Sequence, residues 1–142
     1  MAHISHIDHI AIAVESIDEA KNFYENALGL KISSIEEMPK RGIRVAFIRL
    51  GETTIELMEP LNPQSEISAF LAKRGAGIHH LALNTKEIGD SEAQLRKNGV
   101  RLVYSQCQSG AHDTLVNFVH PSSTGGALIE LVQDCHKPHK SS

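Results

Sequence analysis

The chain has no tryptophan, only 4% aromatic residues and only two cysteines. The two cysteines, Cys107 and Cys135, form no CxxC pair, which argues against a closed thiolate zinc site. So few cysteines are expected of a protein that works reduced in the cytoplasm. No apolar run approaches the roughly 18 residues of a membrane span. Residues 1–6 also lack the basic start and apolar stretch of a secretory signal, so neither a membrane partner nor export is expected.

An excess of positive charge is also missing. The formal net charge is −3, so no general polyanion-binding surface is implied and a nucleic-acid partner is not expected. The chain has 142 residues, of which 41% are apolar. That is the size of one soluble domain with a core of its own, and we expect a single domain over residues 1–142.

What the chain does contain is an internal repeat. Residues 7–12, Ile-Asp-His-Ile-Ala-Ile, return at 78–83 as Ile-His-His-Leu-Ala-Leu. Residues 54–57, Thr-Ile-Glu-Leu, return at 128–131 as Leu-Ile-Glu-Leu. Each half therefore offers one histidine, His9 or His80, and one glutamate, Glu56 or Glu130, at matching positions.

The predicted elements repeat in the same order. Strands are expected at 7–14, 30–37, 43–50 and 53–58, and again at 78–85, 100–106, 114–119 and 127–132. Ser16 and Glu19 form a capping box at the start of a first helix, and a second helix is expected at 87–97. These elements give a βαβββ module at 7–59, a connector with a short helix at 60–76, a second βαβββ module at 77–133 and a tail at 134–142. The fold class is α+β.

Strand alternation predicts how the four polar residues are oriented. His9 and His80 each lie on the strand face opposite the apolar residues that can pack on a helix. Glu56 and Glu130 are each flanked by apolar residues, so they also lie on the face turned away from the helices. A glutamate on a half-buried strand is costly unless it is paired or bound to a metal. Two imidazoles and two carboxylates suit a borderline or hard divalent cation, with positions left for water or substrate. The histidine before His80, His79, points the other way by parity and is predicted to be structural.

These motifs resemble the vicinal oxygen chelate superfamily, also called the glyoxalase/bleomycin-resistance fold, and within it the methylmalonyl-CoA epimerase family. The resemblance covers residues 7–133 and is carried by residues 7–14, 55–61, 70–82, 117–121 and 125–131. It implies that the two modules form a cupped, half-barrel mixed sheet with the helices on the outside.

The resemblance also implies the activity and the site. His9, Glu56, His80 and Glu130 would bind a divalent metal ion, with cobalt preferred and manganese, nickel or zinc as alternatives. The reaction would interconvert (R)- and (S)-methylmalonyl-CoA by C2 proton transfer through a metal-stabilised enolate, with Glu130 as the catalytic acid/base. The substrate is an acyl-CoA, and a homodimer is expected.

Three points stay open at this stage. Some family members have a second glutamate on the third strand, where this chain has Val45, so the second proton carrier is a bound water, Glu56 or a loop residue such as His112. The coenzyme A phosphates need cations, for which the candidates are Lys40, Arg41 and Arg44. The alternatives to an epimerase are a glyoxalase I-type lactoylglutathione lyase and a non-catalytic small-molecule-binding protein of the same fold.

Overall fold

The computed structural model describes residues 3–135, and residues 136–142 of the predicted tail lie outside the described residues. The strands are β1 (Ile4–Ala13), β2 (Ile32–Met38), β3 (Ile43–Leu50), β4 (Thr53–Pro60), β5 (Gly77–Thr85), β6 (Gln108–Gly110), β7 (Thr114–Val119) and β8 (Ile129–Asp134). The helices are α1 (Ile17–Lys21), continued by a π-helical segment (Asn22–Ala27), α2 (Glu66–Arg74) and α3 (Ile88–Lys97), and a 3-10 turn covers Pro121–Ser123.

The strands form two hydrogen-bonded series, β2-β3-β4-β1 and β5-β8-β7-β6. The pairs β1·β4 and β5·β8 are parallel, whereas β2·β3, β3·β4, β6·β7 and β7·β8 are antiparallel. The prediction of a mixed sheet is therefore confirmed. The chain divides into two compact units, one spanning His9–His80 and one combining the chain before His9 with the chain after His80.

In the unit His9–His80, helices cover both faces of the strands. Ile17 of α1 packs with Ala46, Ile48 and Leu57 on one face. The other face carries Ala11, Ala13, Ile43, Val45 and Met58, and it is covered by Ile67 and Leu71 of α2. The connector helix therefore closes part of the face on which the sequence places the polar residues. Ala11 and Ala13 are fully buried there and belong to the packed core.

The start of α1 is set by a local cap. The Ser16 side chain accepts a hydrogen bond from the Glu19 backbone N–H at 3.2 Å, as the predicted capping box requires. The connector helix α2 has the same kind of start, since Ser65 accepts from the Ile67 N–H at 3.1 Å. It ends at Gly75, whose φ of 76° lies in the left-handed region that glycine adopts without strain.

In the other unit, α3 begins at Ile88 and buries Ile88 and Ser91, as the helical spacing predicts. The Ser91 hydroxyl lies 2.6 Å from the Thr85 hydroxyl, so the end of β5 is hydrogen-bonded to the helix that follows it. No helix among residues 3–135 is long and apolar enough to cross a membrane.

The predicted strand at 100–106 is wrong. Within that segment, pairing with β7 is limited to an isolated bridge between Leu102 and Val119, flanked by hydrogen bonds from the Val103 N–H to the Phe118 carbonyl and from the His120 N–H to the Arg101 carbonyl. The strand β6 lies further on. The pairing stops at Tyr104, which is bonded instead by the side chain of Asn117, and that side chain is fully buried. Its Oδ1 accepts from the Tyr104 N–H, and its Nδ2 donates to the Tyr104 carbonyl, both at 3.1 Å. A side-chain amide therefore takes the backbone groups that a strand ladder would use.

Candidate metal centre

In each unit, one glutamate lies in register between an alanine and a phenylalanine of the neighbouring strands. In the unit His9–His80, Glu56 of β4 is the register partner of Ala11 on β1 and of Phe47 on β3. His9 lies two residues before Ala11 on the same strand, and so on the same face of the sheet. Alternation along β1 and β4 thus brings a histidine and a glutamate to neighbouring positions.

The other unit repeats this row. Glu130 of β8 is the register partner of Ala82 on β5 and of Phe118 on β7. Glu130 is only 7% exposed. Its partner Ala82 lies two residues beyond His80 along β5, just as Ala11 lies two residues beyond His9. The internal repeat read from the sequence is thus reproduced strand by strand in the Ala–Glu–Phe rows.

The two repeated histidines meet within the unit His9–His80. The Nε2 atoms of His9 and His80 are 3.3 Å apart, and the rings are nearly perpendicular, with an interplanar angle of 81°. Both residues are buried, with exposures of 8% and 4%. Two nitrogens that each lie about 2.0–2.1 Å from one zinc-sized ion are separated by about 3.0–3.4 Å at common coordination angles. The distance and the donor type therefore fit a shared divalent cation.

Glu56 lies beside the Nδ1 atom of His9. Its Oε2 is 3.5 Å from Nδ1 of His9, and its side chain is 20% exposed. A carboxylate at Nδ1 favours the tautomer of His9 that carries its proton there, which leaves the Nε2 lone pair for a metal. In this arrangement Glu56 contacts the ring nitrogen of His9 that does not face His80.

His79 contacts His80, which strand parity did not predict. Its Nδ1 lies 2.9 Å from Nδ1 of His80, and its ring packs edge-on against Phe70 of α2 at a centroid distance of 4.9 Å. Burial lowers the pKa of His79 below its ordinary value, and the charge of neighbouring His80 adds to the lowering. Strand parity fixes the direction of Cβ only, whereas the imidazole turns about two further bonds; the adjacent histidines at 79 and 80 were the available signal.

The other residues that the sequence proposes for the second proton carrier and for coenzyme A binding have environments of their own. Val45 is 1% exposed and pairs in register with Met58, so this position is apolar core. Arg44 lies 3.5 Å from the Glu59 carboxylate, and Arg41 lies 3.4 Å from that of Glu66, so both guanidinium groups have carboxylate partners. Lys40 is exposed.

His112 lies in the turn between β6 and β7. It is exposed, and its φ is 55°. The Glu130 row belongs to β5, β8 and β7.

Comparison with known proteins identifies the family. Residues 8–118 match the model of the Glyoxalase/Bleomycin resistance protein/Dioxygenase superfamily. The chain is 37% identical over 132 residues to the mitochondrial methylmalonyl-CoA epimerase of Homo sapiens, covering 92% of this chain and 75% of that protein. The chain belongs to the methylmalonyl-CoA epimerase family of that superfamily.

Comparison with solved structures gives the same family. The crystal structure of methylmalonyl-CoA epimerase from Mycobacterium tuberculosis superposes with a TM-score of 0.86 at 37% identity, covering 96% of this chain and 92% of that one. A variant of the Streptomyces coelicolor methylmalonyl-CoA epimerase, solved with 2-nitronate-propionyl-CoA, gives a TM-score of 0.85 at 31% identity, covering 94% and 99%. The predicted family and fold class are thereby confirmed.

Proposed function

We propose that this protein is a metal-dependent epimerase that interconverts (R)- and (S)-methylmalonyl-CoA by removing and returning the proton on C2. The observation that carries the proposal is the pair of buried histidines with facing Nε2 atoms, in a chain of the epimerase family. The structure bound to 2-nitronate-propionyl-CoA belongs to a relative that covers nearly the whole chain, which supports an acyl-CoA substrate here.

The metal would be held by four residues. His9 and His80 present imidazole nitrogens from β1 and β5, and Glu56 and Glu130 supply oxygens from the equivalent positions of β4 and β8. A divalent cation bound by this set would supply Lewis-acid stabilisation of the negative charge that develops on the thioester oxygen. The two imidazoles and two carboxylates are a ligand set that borderline divalent cations accept, and we propose cobalt as the preferred ion.

Glu130 is the acid/base that we propose for the C2 proton. A carboxylate is a competent general base when it is sheltered from water, and Glu130 is buried between two apolar register partners. Its register partner on β5 is Ala82, which is fully buried. Val45 carries no ionisable group, so no second proton carrier comes from that position of β3.

Two wider features belong to the same proposal. Both Cys107 and Cys135 are free thiols, which supports a reducing compartment such as the cytoplasm. Large apolar side chains are exposed on β5 and in the π-helical segment, where Ile78 is 66% and Phe23 is 55% exposed. Such side chains are candidates for covering by a second copy, and we propose a homodimer.

The decisive experiment is proton exchange in heavy water. The protein is depleted of metal with a chelator, reloaded with cobalt chloride and incubated with (S)-methylmalonyl-CoA, and deuterium at C2 is followed by mass spectrometry. We expect metal-dependent exchange together with appearance of the (R) epimer. His9→Ala should abolish both, whereas His3→Ala, which changes an exposed histidine outside the centre, should match the parent protein.

Two results would count against the proposal. One is an absence of C2 exchange with cobalt, manganese, nickel and zinc each supplied in turn. The other is faster turnover of the methylglyoxal–glutathione hemithioacetal than of methylmalonyl-CoA, which would favour the lactoylglutathione lyase alternative.

A further inference from the structure

A continuous series of ring contacts crosses the unit His9–His80. His79 Nδ1 lies 2.9 Å from His80 Nδ1, and His80 Nε2 lies 3.3 Å from His9 Nε2. Both nitrogens of the His80 ring are therefore engaged by another histidine, one on each side of the ring.

The chemistry of a neutral imidazole restricts how these contacts operate. One ring nitrogen carries a proton and donates, and the other carries a lone pair and accepts. For His80 to bind a cation through Nε2, its proton must lie on Nδ1. A buried N–H without an acceptor is destabilising, so the metal-binding tautomer needs an acceptor at Nδ1. Nδ1 of His79 lies within hydrogen-bond distance at that point.

We propose that His79 is a positioning residue for the metal centre, which accepts the Nδ1 proton of His80 and thereby directs the Nε2 lone pair of His80 at the cation. This inference rests on the proposed function in one respect, namely that the cation is the one bound by His9 and His80. Glu56 has the corresponding place at Nδ1 of His9, 3.5 Å away. The repeat therefore keeps the ligands alike but uses different partners, a carboxylate for one imidazole and a neutral imidazole for the other.

The position of His79 is itself fixed by α2. Phe70 packs edge-on against the His79 ring at 4.9 Å, and the Arg74 guanidinium lies 5.8 Å from the Phe70 centroid. This packing restricts the rotation of the His79 ring, which a hydrogen bond with a fixed direction requires. It also predicts which substitutions separate packing from hydrogen bonding. His79→Phe keeps an aromatic ring against Phe70 but has no acceptor, whereas His79→Asn places a carbonyl oxygen close to the former Nδ1.

The test uses the full chain labelled with ¹⁵N-histidine, loaded with zinc chloride at pH 8, where an imidazole is ordinarily neutral. In the parent protein we expect a slowly exchanging Nδ1–H proton on His80 and a scalar coupling across the hydrogen bond to His79 Nδ1. In His79→Phe the His80 Nδ1–H should exchange faster with solvent, and the zinc dissociation constant should rise about 10–100-fold. His79→Asn should restore most of the affinity.

Each outcome decides the proposal. It is overturned if the zinc-loaded parent protein shows no coupling between His79 and His80, a measurement that needs no variant. It is also overturned if His79→Phe binds zinc as tightly as the parent, or if His79→Asn binds it as weakly as His79→Phe. The proposed function fails separately: absence of C2 exchange on methylmalonyl-CoA would leave the zinc titrations and the spectra unaffected.

Discussion

The Glu59 carboxylate accepts a hydrogen bond from the backbone N–H of Ile17 at 2.8 Å. The second module has the same bond between different residues, since Gln133 Oε1 accepts from the Ile88 N–H, also at 2.8 Å. Each acceptor lies three residues after the glutamate of its Ile-Glu-Leu motif, and each donor is the first residue of a helix. The strand that carries a proposed metal ligand thus also binds the helix that packs behind it.

This bond predicts a measurable cost for Glu59→Ala. The change removes the acceptor for a helix N-terminus and the partner of Arg44, and we expect a loss of about 1–2 kcal/mol in the free energy of unfolding. Urea denaturation measures it. Glu59→Gln keeps an acceptor and should lose less, and Gln133→Ala should lose about 1 kcal/mol. Equal stability of Glu59→Ala and the parent would contradict the assignment.

The buried amide of Asn117 predicts a larger effect. Besides its two bonds to Tyr104, its Nδ2 donates to the Glu92 carboxylate at 2.5 Å. Asn117→Ala would leave the Glu92 carboxylate and the Tyr104 backbone without this partner, so we expect a loss of about 2–4 kcal/mol. Asn26→Ala, at an exposed asparagine, is the matched control and should change stability by less than about 0.5 kcal/mol. A loss no larger than that of the control would show that the network contributes little.

Asn117 also explains why the strand predicted at 100–106 is wrong. Residues 100–106 have the apolar and aromatic composition of a strand, and nothing local to them indicates that a side chain 13 residues later in the chain replaces their ladder. Hydrogen bonding between distant segments is not encoded in periodicity. The helix starts at Ser16 and Ile88 were predictable because caps and helical spacing are local.

In the candidate site, too, local features were predictable and contacts between distant segments were not. The Ala–Glu–Phe rows were predictable in part. Side chains alternate along each strand, so the sequence alone places His9 and Ala11 on one face of β1. The contact of His79 with His80 was not, since it depends on ring rotation and on Phe70 of α2, a helix outside both repeats. The proposed orientation of the ligands therefore has a tertiary origin, although the proposed ligands themselves follow from the repeat.

The turn between β6 and β7 carries backbone strain that can be relieved. His112 and Asp113 have φ values of 55° and 57°, a pair that suits Asn-Gly hairpins and that other residues adopt at a cost. Asp113→Gly should raise the free energy of unfolding by about 0.5–1 kcal/mol. Asp113→Ala keeps the positive φ without relieving it and should be destabilising. A thermal or urea unfolding series decides, and a loss of stability in Asp113→Gly would mean that the Asp113 side chain stabilises the turn.

Glu130→Gln separates metal binding from proton transfer. Glutamine keeps an oxygen in place of the carboxylate but cannot take the C2 proton, so cobalt affinity should fall by no more than about tenfold while deuterium exchange falls by about 10²–10⁴-fold. Glu56→Gln is the matched variant at the equivalent position of β4, and as a ligand only it should keep exchange within a few-fold of the parent. Loss of cobalt binding in Glu130→Gln would leave the base unassigned, whereas equal losses of exchange in the two variants would give Glu56 a share of the proton transfer. Because Val45 offers no proton, that last result would also identify the carrier on the opposite side of C2.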